Sequence, residues 1–429
     1  MKAVTYNPTS QGWLATHFLR RRWPRLLSSP LNGFHLEEMH PPELPGRDWV
    51  RVRTLLGGIC GSDVALAVHS QPIDSILGAF NSMPFIPGHE NVAVVEAVGP
   101  AADRAWIGRR VCVEPTLACA ARGIDPPCPR CAAGEFGVCE NFGDSSRGRY
   151  KLPPGTSIGY NSRTGGSWGE RFVAHASQLV PVPDSRSDEE AVLTDPLACG
   201  LHAALRADLS SAGSVLVYGA GMMGLAVVAC LRATGFAGRI DVLDRSAKPE
   251  ARAKALGASD FFVPPEDARE RYELVARRTG ATFHEGRFDS FMLCGGYDVI
   301  FECVGSVATI TESLRWVRAR GQVVMVGTGH GRGADLTPVW FRELTVLGAY
   351  GRQLESFQGR RVGTYQLVHE LMTAGKLAVR PLLTHTFAIE QYRKALEASI
   401  DKDGCDAVKV AMDFRPESAK TQASEQTAP

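Results

Sequence analysis

Alternation of apolar and polar residues marks the first ordered stretch of the chain. WVRVRTLL (49–56) alternates as a strand with one buried face does, and NVAVVEAVG (91–99) and RVCVEP (110–115) are also strand-like. Glycines separate these segments, which predicts a β-rich first domain of short strands. At about residue 190 the period changes. DEEAVLTDPLACGLHAAL predicts a helix and SVLVYGAG a buried strand. Next come a helix over Met222 to Thr234, a strand at RIDVLD and a helix at PEARAKALGA. YDVIFECVG and GQVVMVGTG are further buried strands, with TITESLRWVRA as the helix between them. Strands alternating with helices build a parallel, doubly wound sheet. After about 345 the first pattern returns: TVLGAYG, a helix around YQLVHELMTAG, LLTHTF, a helix around IEQYRKALEAS, and AVKVAMDF.

The segments between carry less pattern. Residues 1–48 read as irregular, with several prolines and a basic run, RRRWPR, at 20–25. A solvated loop explains that run better than an anionic partner does. Residues 264–296 exceed what a strand-to-strand connection needs and predict an insertion. From Arg415 the chain is polar and aperiodic, which predicts a disordered tail. The stretch from Val215 to Leu231 has no charge, but three glycines interrupt it, so a buried strand, turn and helix are expected rather than a membrane span.

Composition narrows the class. A chain of 429 residues is long enough for two domains, or for one inserted in another. Its formal net charge of +1, from 47 basic and 46 acidic residues, points to neither nucleic acid nor a membrane as partner. The start, MKAVTYNP, shows no secretory signal, so a cytoplasmic location is expected. Four of the eleven cysteines fall between Cys119 and Cys139, and such clustering in a large chain suggests metal before disulfides.

GAGMMG at 219–224 matches G-x-G-x-x-G, follows the apolar strand SVLVY and opens an apolar helix, the context a dinucleotide turn requires. Gly219 permits the turn, Gly221 lets the backbone approach a pyrophosphate, and Gly224 lets helix pack on strand. The helix N-terminus, with Met222 and Met223, favours the phosphate charge. Asp244 ends the next strand, where a carboxylate binds the ribose hydroxyls and repels a 2′-phosphate. This favours NAD over NADP, with the adjacent Arg245 softening the preference. Val304 and Gly327, after the later strands, complete the expected cofactor contacts.

GGICGSDV, holding Cys60, Ser62 and Asp63, and IPGHE, holding His89 and Glu90, mean little singly. In one chain with the cysteine cluster, TDPLACGLHAAL, GAGMMG and YDVIFECVG, in that order, they resemble the zinc-dependent medium-chain dehydrogenases, which include alcohol, polyol and threonine dehydrogenases. The resemblance spans about residues 49–414. It implies an α/β protein with a GroES-like catalytic domain split around a Rossmann domain. The implied ranges are 1–190 (with a zinc lobe at 115–142), 191–344, a return segment at 345–414 and a tail at 415–429. It also implies catalytic zinc ligands: Cys60, His89 and, as in many polyol enzymes, Glu90. Asp195 stands where the polyol and threonine enzymes carry an acidic residue. Because Cys60 and Glu90 already neutralise Zn²⁺, Asp195 is expected to be exchangeable or to bind through water. Cys199 is not assigned as a ligand.

Zinc lowers the pKa of an alcohol oxygen, and a nicotinamide accepts the hydride. Ser62 is the expected first proton acceptor. The histidine that many relatives place next in the relay is Ala65 here, and nothing in the sequence makes nearby His69 its substitute. The family's structural lobe reads C-x2-C-x2-C-x7-C. Here Cys119, Cys128, Cys131 and Cys139 read C-x8-C-x2-C-x7-C, with six extra residues in AARGIDPP. Loop closure tolerates such an insertion, so a four-cysteine structural zinc is expected. A lobe without metal, or with three ligands, is the alternative.

The expected function is therefore zinc- and NAD-dependent oxidation of a secondary alcohol (a polyol, sugar or amino alcohol), or reduction of the ketone, by a homodimer or homotetramer acting on a small molecule. One alternative is a zinc-independent quinone or enoyl reductase of the same superfamily. Another is a catalytically silent zinc- or nucleotide-binding protein.

Overall fold

The structure is a computed structural model that describes residues 1–71, 75–329, 333–380 and 382–416. The chain divides into two compact units. One comprises Met1–Asp195, Arg352–Leu354 and Val379–Pro429; the other comprises Pro196–Gly351 and Glu355–Ala378.

The first unit is built on a seven-stranded sheet. In spatial order its strands are Leu383–Ala388, Lys409–Asp413, Trp49–Gly58, Glu90–Val98, Arg110–Val113 and Leu179–Pro181, with Arg171–His175 also paired to Trp49–Gly58. Trp49–Gly58 is the hub. Its early residues alternate between core and surface, and its last five are wholly buried. Trp49, Val50 and Val52 join Phe172, Leu117 and Ile158 in one apolar core. A second core gathers Tyr6, Phe85, Trp168, Leu396 and Met412.

The second unit holds six parallel strands. Their spatial order is Asp260–Phe262, Arg239–Leu243, Ser214–Tyr218, Tyr297–Glu302, Val317–Met325, Thr345–Gly348. Counted along the chain this is order 3-2-1-4-5-6, the doubly wound arrangement that places ligands beyond the carboxyl ends of the central strands.

Several expectations need correction. Residues 1–48 are not irregular: Lys2–Tyr6 pairs antiparallel with Phe34–Glu38, and helix Ser10–Leu19 lies between them in the chain, capped by Thr9. The two strands are short and far apart in sequence, so no local period reveals them. Within 264–296, Ala268–Thr279 is a helix, succeeded by a hairpin of Thr282–Glu285 with Phe291–Cys294. The hairpin is anchored by buried Phe291 and Leu293. The helix of TITESLRWVRA stops at Trp316, and Val317 already belongs to the next strand. The tail does not loosen at Arg415, whose guanidinium donates to Asp413 and Glu189. Residues 417–429 of the expected tail lie outside the described residues. Residues 345–351 and 355–378, expected in the return segment, belong to the second unit: Thr345–Gly348 is the edge strand of its parallel sheet, and buried Glu355 accepts from Thr364 and pairs with His202. Among the described residues no helix is long and apolar enough to cross a membrane.

Candidate active site and metal centres

Sheet register brings the first candidate site together. Glu90 opens its strand and pairs with Gly58, two residues before Cys60. Cys60 caps helix Gly61–Ala67, and His89 immediately precedes Glu90. One ligand atom from each of Cys60, His89 and Glu90 thus lies within 4.8 Å of the others. Gly58 is required for this approach, since a Cβ there would meet Glu90 Oε2 at 2.2 Å.

Two cations that no sequence motif announces complete the cluster. Lys409 Nζ donates to both Glu90 oxygens, at 2.6 and 2.7 Å, and to the Ile59 carbonyl at 3.1 Å. Both side chains are almost fully buried. Burial works against the Lys409 charge, but Glu90 and Cys60 outweigh it and raise its pKa. Arg352 grips Asp195 with two bonds of 2.7 and 2.8 Å, again fully buried. Asp195 therefore stands outside the three-residue donor set, with both oxygens engaged by a guanidinium. Both acidic candidates are thus held by a cation, and Glu90 is the one that meets Cys60 and His89 within 4.8 Å.

The remaining groups order the centre. Asp63, fully buried, accepts from the Cys60 backbone at 2.9 Å, and burial pushes its carboxyl up. Tyr160 donates to Ser62 Oγ at 2.9 Å and lies 3.4 Å from Asp63 Oδ1; its ring leans on His89 at 5.7 Å. His69 does not bond Ser62. Its Nε2 is 2.5 Å from Asn32 Oδ1 and its ring lies against Trp13, while burial lowers its pKa to about 4.

The donor set suits a divalent cation. Burial should keep His89 neutral, yet Cys60, Asp63 and Asp195 raise its pKa to about 10, so the cluster draws in positive charge. Its Nδ1 is buried without a hydrogen-bond partner. One sulfur, one imidazole and one carboxylate match zinc's preferences and leave a fourth position free.

The second cluster is closed. Ligand atoms of Cys119, Cys128, Cys131 and Cys139 all lie within 4.8 Å of one another. The Cys119–Cys139 and Cys128–Cys139 sulfurs are 3.6 and 4.0 Å apart. Zn–S bonds of about 2.3 Å in a tetrahedron give sulfur spacings of about 3.8 Å. Backbone N–H groups of Cys128, Cys131 and Asn141 point at the sulfurs, and Asn141 Nδ2 donates to Cys119 at 3.2 Å.

In the nucleotide-binding unit each turn glycine has a distinct reason. Gly219 has φ +100°, a Cβ on Gly224 would sit 1.7 Å from the Gly219 carbonyl, and Gly221 faces open space at the N-terminus of helix Met222–Ala233. Met222 is buried and offers only backbone, whereas Met223 is half-buried and Arg245 exposed. Asp244 accepts from the N–H groups of Ala220 (2.7 Å) and Ser246 (3.0 Å), so it braces the turn. Val304 lies against Gly219, and the loops of Gly305 and Gly327 meet backbone to backbone.

Sequence reasoning missed Lys409, Arg352 and Tyr160. For Lys409 a signal existed: a lone charge inside the apolar strand AVKVAM. Arg352 and Tyr160 sit in loops without any pattern.

Comparison with known proteins agrees with this geometry. Residues 46–184 match the model of the alcohol dehydrogenase GroES-like domain, and residues 223–360 that of the zinc-binding dehydrogenases. The chain is 30% identical to sorbitol dehydrogenase of Arabidopsis thaliana over 388 residues, covering 89% of this chain and 93% of the relative. It is 31% identical to L-idonate 5-dehydrogenase of Vitis vinifera over 388 residues, covering 89% and 92%. An alcohol dehydrogenase of Escherichia coli CFT073 solved with NADH shares the fold, with a TM-score of 0.71 at 21% identity over 96% of this chain and 99% of that one.

Proposed function

Because the chain belongs to the zinc-dependent medium-chain dehydrogenases, enzymes acting on CH–OH groups, we propose that it oxidises a secondary alcohol of the polyol, sugar or amino-alcohol class, or reduces the ketone, with NAD. The observation that carries the reading is the meeting of partly buried Cys60 with buried His89 and Glu90, Glu90 being held by buried Lys409.

In this reading Cys60, His89 and Glu90 hold the catalytic zinc, and Cys119, Cys128, Cys131 and Cys139 hold a structural one. Held by these residues, zinc would supply Lewis acidity to the alcohol oxygen. Lys409 pairs with Glu90 and Arg352 with Asp195, so neither carboxylate brings its full charge to a bound ion. An ion held there would keep more of its positive charge than the ligand count alone suggests. Ser62 accepts the alcohol proton, and the Tyr160 hydroxyl fixes the Ser62 rotamer through its 2.9 Å bond. Asp195, held by Arg352, is left to order water or a substrate hydroxyl. Gly219, Gly221, Met222, Met223 and Gly224 cradle the pyrophosphate. Asp244 meets the ribose, Arg245 flanks it, and Val304 and Gly327 line the cofactor.

We further infer a homodimer or homotetramer. Supporting this, the edge strand Thr345–Gly348 is largely exposed, and nearby Trp340 and Phe341 are 74% and 64% exposed. All eleven cysteines are free, which fits a cytoplasmic location.

The test is a panel of polyols, sugars, amino alcohols and simple alcohols with NAD and NADP, followed by absorbance of the reduced cofactor. Polyol-class turnover with NAD is expected. Turnover only of quinones or enoyl thioesters would refute the reading.

A further inference from the structure

Arg122 lies in the segment that departs from the family spacing, three residues after Cys119 on the short helix Cys119–Arg122. It is 1% exposed. Among the described residues its guanidinium donates only to backbone carbonyls: Nε to Leu117 (2.9 Å), Nη1 to Leu152 (3.0 Å), and Nη2 to Phe142 and Gly155 (2.7 Å each), with longer bonds to Pro153. Leu117 precedes the first cysteine by two residues, and Phe142 follows the last by three. One side chain thus ties together both ends of the cysteine lobe.

A buried guanidinium without a carboxylate is costly, and carbonyl dipoles only partly offset that cost. The carbonyls it bonds at Leu117 and Phe142 flank Cys119 and Cys139, which makes those sulfurs the candidate anions. Burial lowers the Arg122 pKa, and the sulfurs of Cys139 and Cys119 act in the opposite sense, ahead of Asp144. Four thiolates around a divalent ion carry two net negative charges, and the N–H donors at the sulfurs remove none of them.

We propose that Arg122 is the counter-charge of the four-cysteine metal centre, a positioning residue that holds the lobe closed and stabilises its tetrathiolate form. The inserted residues then do more than lengthen a loop, since they deliver a cation to the metal site. The proposal rests on the four-cysteine zinc reading.

The experiment follows zinc release from the full-length protein to an excess of a chromogenic chelator. All arms carry Cys60→Ser, so that only lobe metal is seen. Arg122→Gln keeps donors but loses the charge; Arg122→Lys keeps the charge but loses the planar fork. Gln is expected to release zinc about tenfold faster than the parent, the size of an outer-shell effect, and Lys to stay within about threefold. A mere backbone clamp would make the two variants behave alike, and that result overturns the proposal. If the Gln variant does not fold, Lys still decides, because a clamp role predicts fast release from it too. A parent with no metal at all would instead sink the four-cysteine reading itself, and the proposal with it.

Discussion

The candidate catalytic cluster and the glycine turn solve their problems by opposite means. The turn works by shape: its residues fall within GAGMMG, and its requirement is backbone that can approach an anion, as the open space at Gly221 shows. The catalytic cluster works by charge and is assembled from distant segments. Lys409 reaches Glu90 across 319 positions and Arg352 reaches Asp195 across 157. Local shape can be read from a short motif, whereas charge balance depends on partners that only the folded sheet supplies.

The largest effect should come from the catalytic cluster. Cys60→Ser removes a metal ligand. If zinc contributes several kcal/mol to the barrier, steady-state turnover should fall by about a thousandfold, while nucleotide titration is nearly unchanged. Loss of nucleotide binding as well would mean that the two regions are not the independent devices described. Next, Lys409→Met leaves Glu90 buried without its cation and should cost about 3–5 kcal/mol in urea unfolding of the metal-free protein. A change under about 1 kcal/mol would show that the pair is not a structural charge lock. The glycine turn should respond more mildly. Gly224→Ala drives a Cβ to 1.7 Å from the Gly219 carbonyl, and overpacking of this kind costs about 1–3 kcal/mol, read as weakened NAD binding by calorimetry. The smallest effect is expected at Asp244. Asp244→Ala should shift the NADP-to-NAD ratio of kcat/KM upward by on the order of tenfold, about one charge-assisted hydrogen bond. An unchanged ratio would leave Asp244 as a brace for Ala220 and Ser246 only.

The same contrast explains what the sequence revealed. Most of the parallel sheet was readable because its central strands are local apolar runs, as in SVLVYGAG, whereas the short edge strand Asp260–Phe262 carries too few residues to show a pattern. Cys60, His89 and Glu90 were readable because each lies in a short motif whose companions appear in a fixed order. The pairing of Lys2–Tyr6 with Phe34–Glu38 was hidden because a helix and turns separate two short strands. Lys409 left a trace as a lone cation in a fully buried strand, but nothing in AVKVAM says which carboxylate it meets. Tyr160 and Arg352 left none, since loop residues carry no period and their partners are set by tertiary folding.

Zinc content per chain, measured in the wild type and in Cys60→Ser, tests the central claim most directly. Two ions in the wild type and one in the variant are the predicted result. A metal-free wild type with full dehydrogenase activity, or a variant that keeps both ions, would contradict it.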